Sequence, residues 1–162
     1  MDALTLLTPA EWEIIGLSLK VAAWSVACSL PPALAVALLL ARRDFRGKSL
    51  LDAVVHLPLV LPPVVIGYFL LLGFGRRGPL GALLEEWFGL VFAFRWTGAA
   101  LAAAIMGFPL MVRAMRLSIA AIDPGLEAAA RTLGATRWRV LWTVTLPLAA
   151  PGILTGALLS FA

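Results

Sequence analysis

Residues 126–147 read LEAAARTLGATRWRVLWTVTLP. Hydrophobic runs flank this stretch on both sides, yet it carries four charges, Glu127, Arg131, Arg137 and Arg139. Its punctuation predicts two helices around a tight turn. Asp123 can cap the first, because its carboxylate can accept from free N–H groups of the opening turn. Pro124 then takes the first helical position, where its missing N–H is no loss. Glu127 lies early, where a negative charge favours the helix dipole. Ala128, Ala129 and Ala130 are strong helix formers of little bulk. Gly134 can close the helix in a left-handed conformation. Thr136 can cap a second helix through RWRVLWTVT, expected to stop before Pro147. Such a small, capped, water-facing element has two readings on spacing alone. It can dock on another protein, or it can rest amphipathically on lipid headgroups, a role that Arg137, Trp138 and Arg139 also suit.

Working outward, the rest of the chain is membrane-like. Of its 162 residues, 62% are hydrophobic and 14% charged, against about half and a quarter in soluble domains. The composition predicts an all-α, polytopic helical membrane protein of one domain over 1–162. A bilayer core of about 30 Å needs roughly 20 apolar residues in a helix. Spans are expected at about 14–41, 53–74, 96–112 and 148–162, with a cytoplasmic region at about 117–147. The last run, still apolar at Ala162, is short for a crossing, so the sequence is expected to be cut inside a membrane helix. The N-terminus carries Asp2, Glu11 and Glu13 and no basic n-region, unlike a removable signal peptide. With that end outside, nine basic residues (Arg42, Arg43, Arg46, Lys48, Arg113, Arg116, Arg131, Arg137, Arg139) fall inside. Four, Lys20, Arg76, Arg77 and Arg95, fall outside. The positive-inside rule favours this orientation and makes the net charge of +4 a matter of loops, with no nucleic-acid partner implied. In the outer loop 75–95, Leu80, Leu83, Leu84, Trp87 and Phe88 share a face, as in an interfacial helix.

Several residues within the spans invite a functional reading. Pro58, Pro62 and Pro63 interrupt the second span, and Gly67 follows them. Broken helices are tolerated where they face protein or water, and transporters place them around their pathway. The segment HLPLVLPPVVIG either lines or gates a route or only kinks the helix. Pro31 and Pro32 read as structural kinks. Ser18, Ser25 and Ser29 share a face and read as helix packing. His56, near the inner end of its span, could suggest a proton relay but reads better as a satisfied interfacial histidine, which Asp52 one turn earlier could pair with. Cys28, alone, reads as an inert buried thiol. Arg76 and Arg77 at the outer mouth could attract an anion, anchor at headgroups or meet a soluble partner. An intramembrane enzyme would need a nucleophile, paired acid and base or metal ligands within the spans; one His, one Cys and no mid-span carboxylate argue against it. No catalytic residue, metal or cofactor is expected. No GxxxxGK[ST] loop for nucleotide phosphates occurs in the sequence. A passive channel or anchor would leave the capped element without a task.

The opening stretch resembles the EAA signature of ABC-importer permeases: Glu-Ala-Ala, three residues, Gly, nine residues, Ile, one residue, Leu-Pro. Gly134 is followed by nine residues and then Val144, Thr145, Leu146 and Pro147, with Val in place of Ile. Ala129 and Ala130 match, whereas Ala128 stands at the usual Glu position and Glu127 one residue earlier. The stretches SLKVAAWSVACSLPPALAVALLLARRDFRGKSLLDAVVHLPLVLPPVVIGYFLLLGFGRRGPLG and FAFRWTGAALAAAIMGFPLMVRAMRLSIAAID look like the molybdate permease subunits of such importers, and the resemblance covers nearly the whole chain. It implies a type I importer permease fold, acting as a homodimer. The partners implied are a separate cytoplasmic ABC ATPase and a periplasmic molybdate-binding protein. Tungstate and sulfate permeases are close relatives of this pattern. By the resemblance, Asp123, Pro124, Gly125, Glu127, Ala128, Ala129, Ala130, Gly134, Ala135, Leu146 and Pro147 form a coupling region that inserts into a cleft of the ATPase.

Overall fold

The computed structural model describes residues 8–75, 78–88 and 95–161. Among the described residues every regular element is a helix: α1 (Pro9–Arg42), α2 (Lys48–Val60), α3 (Pro63–Phe74), α4 (Pro79–Phe88), α5 (Trp96–Ala120), α6 (Pro124–Thr132), α7 (Arg137–Val140), a π segment (Leu141–Thr145) and α8 (Leu146–Phe161). Among the described residues three helices are each long and apolar enough to cross a membrane: Pro9–Arg42, Trp96–Ala120 and the continuous Arg137–Phe161.

Helix α1 opens on a cap. The Glu11 carboxylate accepts from the Thr8 N–H at 2.6 Å and from its hydroxyl at 2.9 Å, which fixes the first turn. The helix runs through Pro31 and Pro32 without ending. Its buried residues are Ser25, Ser29, Ala33, Ala37 and Leu40, a stripe of mostly small side chains at helical spacing. Lipid offers no hydrophobic drive between helices, so close approach of small residues supplies the attraction. The packing predicted for Ser25 and Ser29 is thus observed, whereas Ser18 is exposed. Cys28 is exposed, off the buried stripe of α1, which corrects the expectation of a buried thiol.

Helix α5 is the centre, packed against both α1 and α8. It buries Met111, Val112, Met115 and Ile119 completely. Its seam with α8 is built on glycine. A Cβ on Gly156 would lie 3.0 Å from the Met111 carbonyl oxygen. One on Gly152 would fall on the Ser118 side chain, and one on Gly107 on that of Ser160. Gly152 and Gly156 are four apart, the small-xxx-small spacing that lets two helix backbones approach.

The expected second span is not one straight helix. Helices α2 and α3 meet at 110°. Leu61 and Pro62 take extended backbone, with ψ of 138° and 140°, because a residue before proline is pushed out of the helical region and two consecutive prolines remove two N–H donors. At about 1.5 Å per residue, neither the 13 residues of α2 nor the 12 of α3 alone crosses a hydrocarbon core. Gly67 has open space around its Cα, with nothing within 4 Å of an added Cβ. Gly67→Ala is therefore expected to leave protein level and thermal midpoint unchanged, so any loss of uptake in that variant reports on the route and not on the fold.

Candidate functional site

The segment between α5 and α8 is built from local rules. Asp123 caps α6, its Oδ1 accepting from the Gly125 N–H at 2.8 Å, and Pro124 opens the helix. The far end closes as a Schellman motif. Gly134 has φ +86°; its N–H donates to the Arg131 carbonyl at 3.0 Å, and the Ala135 N–H donates to the Ala130 carbonyl at 3.1 Å. Ala130 and Ala135, the apolar pair that accompanies this motif, are half-buried. Thr136 Oγ1 then accepts from the Arg139 N–H at 3.4 Å and caps α7.

Beyond that cap the structure departs from expectation. The second helix does not stop before Pro147. It widens into the π segment, where the Leu146 N–H reaches back five residues to the Leu141 carbonyl, and continues through Leu146 and Pro147 as α8. A proline inside a regular helix clashes with the carbonyl four residues earlier. A π turn re-aims the carbonyls ahead of it, and such turns occur as single wide turns within α-helices. Helix α7, the π segment and α8 are thereby one continuous rod, Arg137–Phe161.

Helix α6 has two faces. Leu126, Ala129 and Leu133 are exposed, Leu133 to 89%. Ala128 is exposed beside them. Pro124, Glu127 and Arg131 line a groove of about 920 Å³ against the end of α1, with Arg42, Arg43 and Arg137. Glu127 Oε1 accepts from Arg42 Nη2 at 2.7 Å and from Thr145 Oγ1 at 2.8 Å. Sequence alone did not point to Arg42 or Thr145 as its partners. Arg42 lies 85 residues away, and only the packing of α1 beside the hairpin brings them together.

A second polar link lies at the same end of the bundle. Asp52 of α2 accepts from Arg116 of α5 at 2.6 Å. The expected Asp52–His56 pairing is present, mainly through the backbone: His56 Nδ1 lies 2.8 Å from the Asp52 carbonyl oxygen and 3.7 Å from the carboxylate that Arg116 also engages. In the adjoining loop, the Lys48 ammonium holds the Asp44 carboxyl below its ordinary value, first by a 2.7 Å hydrogen bond and then by charge.

Of the residues proposed for a route, Pro58 lies inside α2, and Pro62 and Pro63 sit exposed at the bend. Gly67 lines a groove of about 610 Å³ between α3 and the start of α5, with Val64, Tyr68, Leu71, Gly98 and Ala102. The wall is almost wholly apolar, with Arg95 at its end. The expected anion-contact residues Arg76 and Arg77 lie outside the described residues. Among the described residues no group of three His, Cys, Asp or Glu could hold a metal.

Apolar helices in a bundle, a broken helix pair and a capped hairpin whose second helix runs on into an apolar helix define a multi-pass membrane protein. Residues 33–162 match the family described as binding-protein-dependent transport system inner membrane component, and the chain belongs to that family. It is 59% identical over 157 residues to the molybdenum transport system permease protein ModB of Escherichia coli (strain K12), covering 97% of this chain and 69% of that protein. It is also 59% identical over 152 residues to ModB of Haemophilus influenzae, covering 94% and 66%. With the molybdate/tungstate transport system permease protein WtpB of Thermococcus kodakarensis it shares 36% identity over 158 residues, covering 98% and 58%. A component of a transport system is not itself an enzyme.

Proposed function

We propose that this chain belongs to the membrane-spanning permease subunit of an ATP-driven importer that passes molybdate, and tungstate as its near twin, from a periplasmic binding protein to the cytoplasm. The observation that carries the substrate is the 59% identity to a molybdenum transport permease along 97% of the chain. The hairpin α6–α7 is the cytoplasmic coupling element. Its exposed Leu126, Ala129 and Leu133 meet an ABC ATPase held on a separate chain, and the N-terminus lies outside. The permease works as a homodimer, and the α2–α3 bend with Pro62, Pro63 and Gly67 borders the route. Arg76 and Arg77 meet the anion or the binding protein at the outer mouth. A sulfate importer is the alternative within the same class.

The test is uptake of labelled molybdate by cells deleted for their own permease and expressing the full-length gene, in competition with unlabelled tungstate and sulfate. Block by tungstate with little block by sulfate is expected. Full block by sulfate moves the substrate to sulfate. The route is tested in the same assay: Pro62→Ala with Pro63→Ala straightens the bend and is expected to cut uptake about tenfold or more, since loss of one proline break changes helix energetics by about 3 kcal/mol. Unchanged uptake at normal protein level removes the bend from the mechanism.

A further inference from the structure

The Glu127 carboxylate points away from the exposed face of α6 and into the groove beneath it. One oxygen, Oε1, takes both the Arg42 guanidinium and the Thr145 hydroxyl. These three residues sit at the cytoplasmic-side end of α1, in α6 and in the π segment that continues as α8. Both α1 and α8 pack on α5. Among the described residues α6 buries none of its own. Apart from this carboxylate it is held by its chain ends, at the Asp123 cap and the Gly134 turn, and by shallow contact with α7 and the π segment. Those ends are hinges, whereas a charged hydrogen bond to α1 is a strut.

We propose that Glu127 is a positioning residue that makes α6 move as one body with α1 and α8, so that displacement imposed on the hairpin reaches the bundle, while Glu127 itself does not touch the ATPase. The inference rests on the coupling role given to the hairpin above. Arg42 strengthens it. Its side chain is only 24% exposed, and its Nε is buried without a hydrogen-bond partner. Removing Glu127 would leave a half-enclosed cation short of its anion, and it would have to swing out toward water. Helix α6 would then hang on its two hinges, still exposing Leu126 and Leu133, and would yield to the ATPase instead of pulling on the bundle. Docking and transmission are separate tasks on opposite sides of one short helix.

The experiment uses the full-length permease with its ATPase subunit and binding protein in proteoliposomes of phosphatidylethanolamine and phosphatidylglycerol. Three quantities are read: ATPase retained per permease, ATP hydrolysed and molybdate taken up per ATP. Glu127→Ala and Arg42→Ala are expected to retain the ATPase within about twofold while uptake per ATP falls about tenfold, the scale of losing one charged hydrogen bond. Glu127→Gln, which keeps the shape and an acceptor oxygen, is expected to fall between wild type and Glu127→Ala. The reversed pair, Arg42→Glu with Glu127→Arg, is expected to recover uptake per ATP to within about threefold of wild type, a rescue that a purely local loss of folding would not show. Wild-type uptake per ATP in Glu127→Ala overturns the proposal. Loss of ATPase retention in Glu127→Ala or Glu127→Gln at normal permease level also overturns it, since Glu127 would then belong to the docking surface. Retention of the ATPase by a permease lacking residues 124–135 is a different failure: it removes the coupling role of the hairpin itself.

Discussion

Gly152→Leu is expected to abolish most of the folded protein. The position lies in the α5–α8 seam, where even one added carbon would fall on the Ser118 side chain and come within 3.0 Å of the Ala114 carbonyl oxygen. The obstacle is partly backbone, which cannot rotate out of the way. Leucine adds four carbons, and each excess group in a packed seam forces helix separation or strained rotamers at about 1–3 kcal/mol. Separation would also open the contact of Gly156 with Met111 and Ala114, so the loss spreads along the helix. A fall of the thermal midpoint by roughly 10 °C or more is expected, with little monodisperse protein after detergent extraction. Leu158→Ala, at a side chain 68% exposed, is the control and should behave as wild type. The mechanism has its own check. Gly152→Ala should destabilise alone and recover in part when combined with Ser118→Gly, because that removes the side chain it strikes and leaves only the tight approach to the Ala114 carbonyl. A Gly152→Leu protein with an unchanged midpoint would mean that α5 and α8 are not in close contact.

Leu133→Asp is expected to release the ATPase from an intact permease. Leu133 is 89% exposed, and the left-handed turn at Gly134 next to it depends on backbone hydrogen bonds. The fold therefore has no use for this leucine that an aspartate would spoil. A large apolar side chain left in water at the tip of a capped helix is suited to a partner's pocket. Filled pockets at the centre of an interface contribute about 2 kcal/mol or more per anchor, so co-purification of the ATPase should drop about thirtyfold and uptake with it. Leu133→Met should keep both. Gly134→Asp attacks the same function through the backbone: a non-glycine residue at φ +86° is strained by about 1–2 kcal/mol, which misdirects the turn. Stoichiometric retention of the ATPase by Leu133→Asp would place the docking surface elsewhere.

The legible parts of the site share one property. The Asp123 cap, the Gly134 turn and the Thr136 cap join residues no more than five apart, so the pattern of donors and acceptors is written in consecutive letters. The same holds for Ser25 and Ser29, whose spacing declares a packing face, although Ser18 on the same face is exposed. Pro147 misled the reading because a proline stops a regular helix; a π turn upstream changes the geometry that the proline meets. Cys28 misled it because, in lipid, an apolar run does not distinguish the bundle interior from its surface.

The chain alone thus determined the helical membrane class, the approximate positions of its apolar runs, the capped hairpin and the break at Pro62–Pro63. These follow from hydropathy and from interactions within a turn or two of helix. The tertiary structure alone decided that α5 is the centre, that α2 and α3 meet at 110°, that Asp52 belongs to Arg116 and that Glu127 belongs to Arg42 and Thr145. Those pairings span as many as 85 residues. A charge can meet any of several opposite charges across such separations, and only the packing of small residues at the helix seams selects which one it meets.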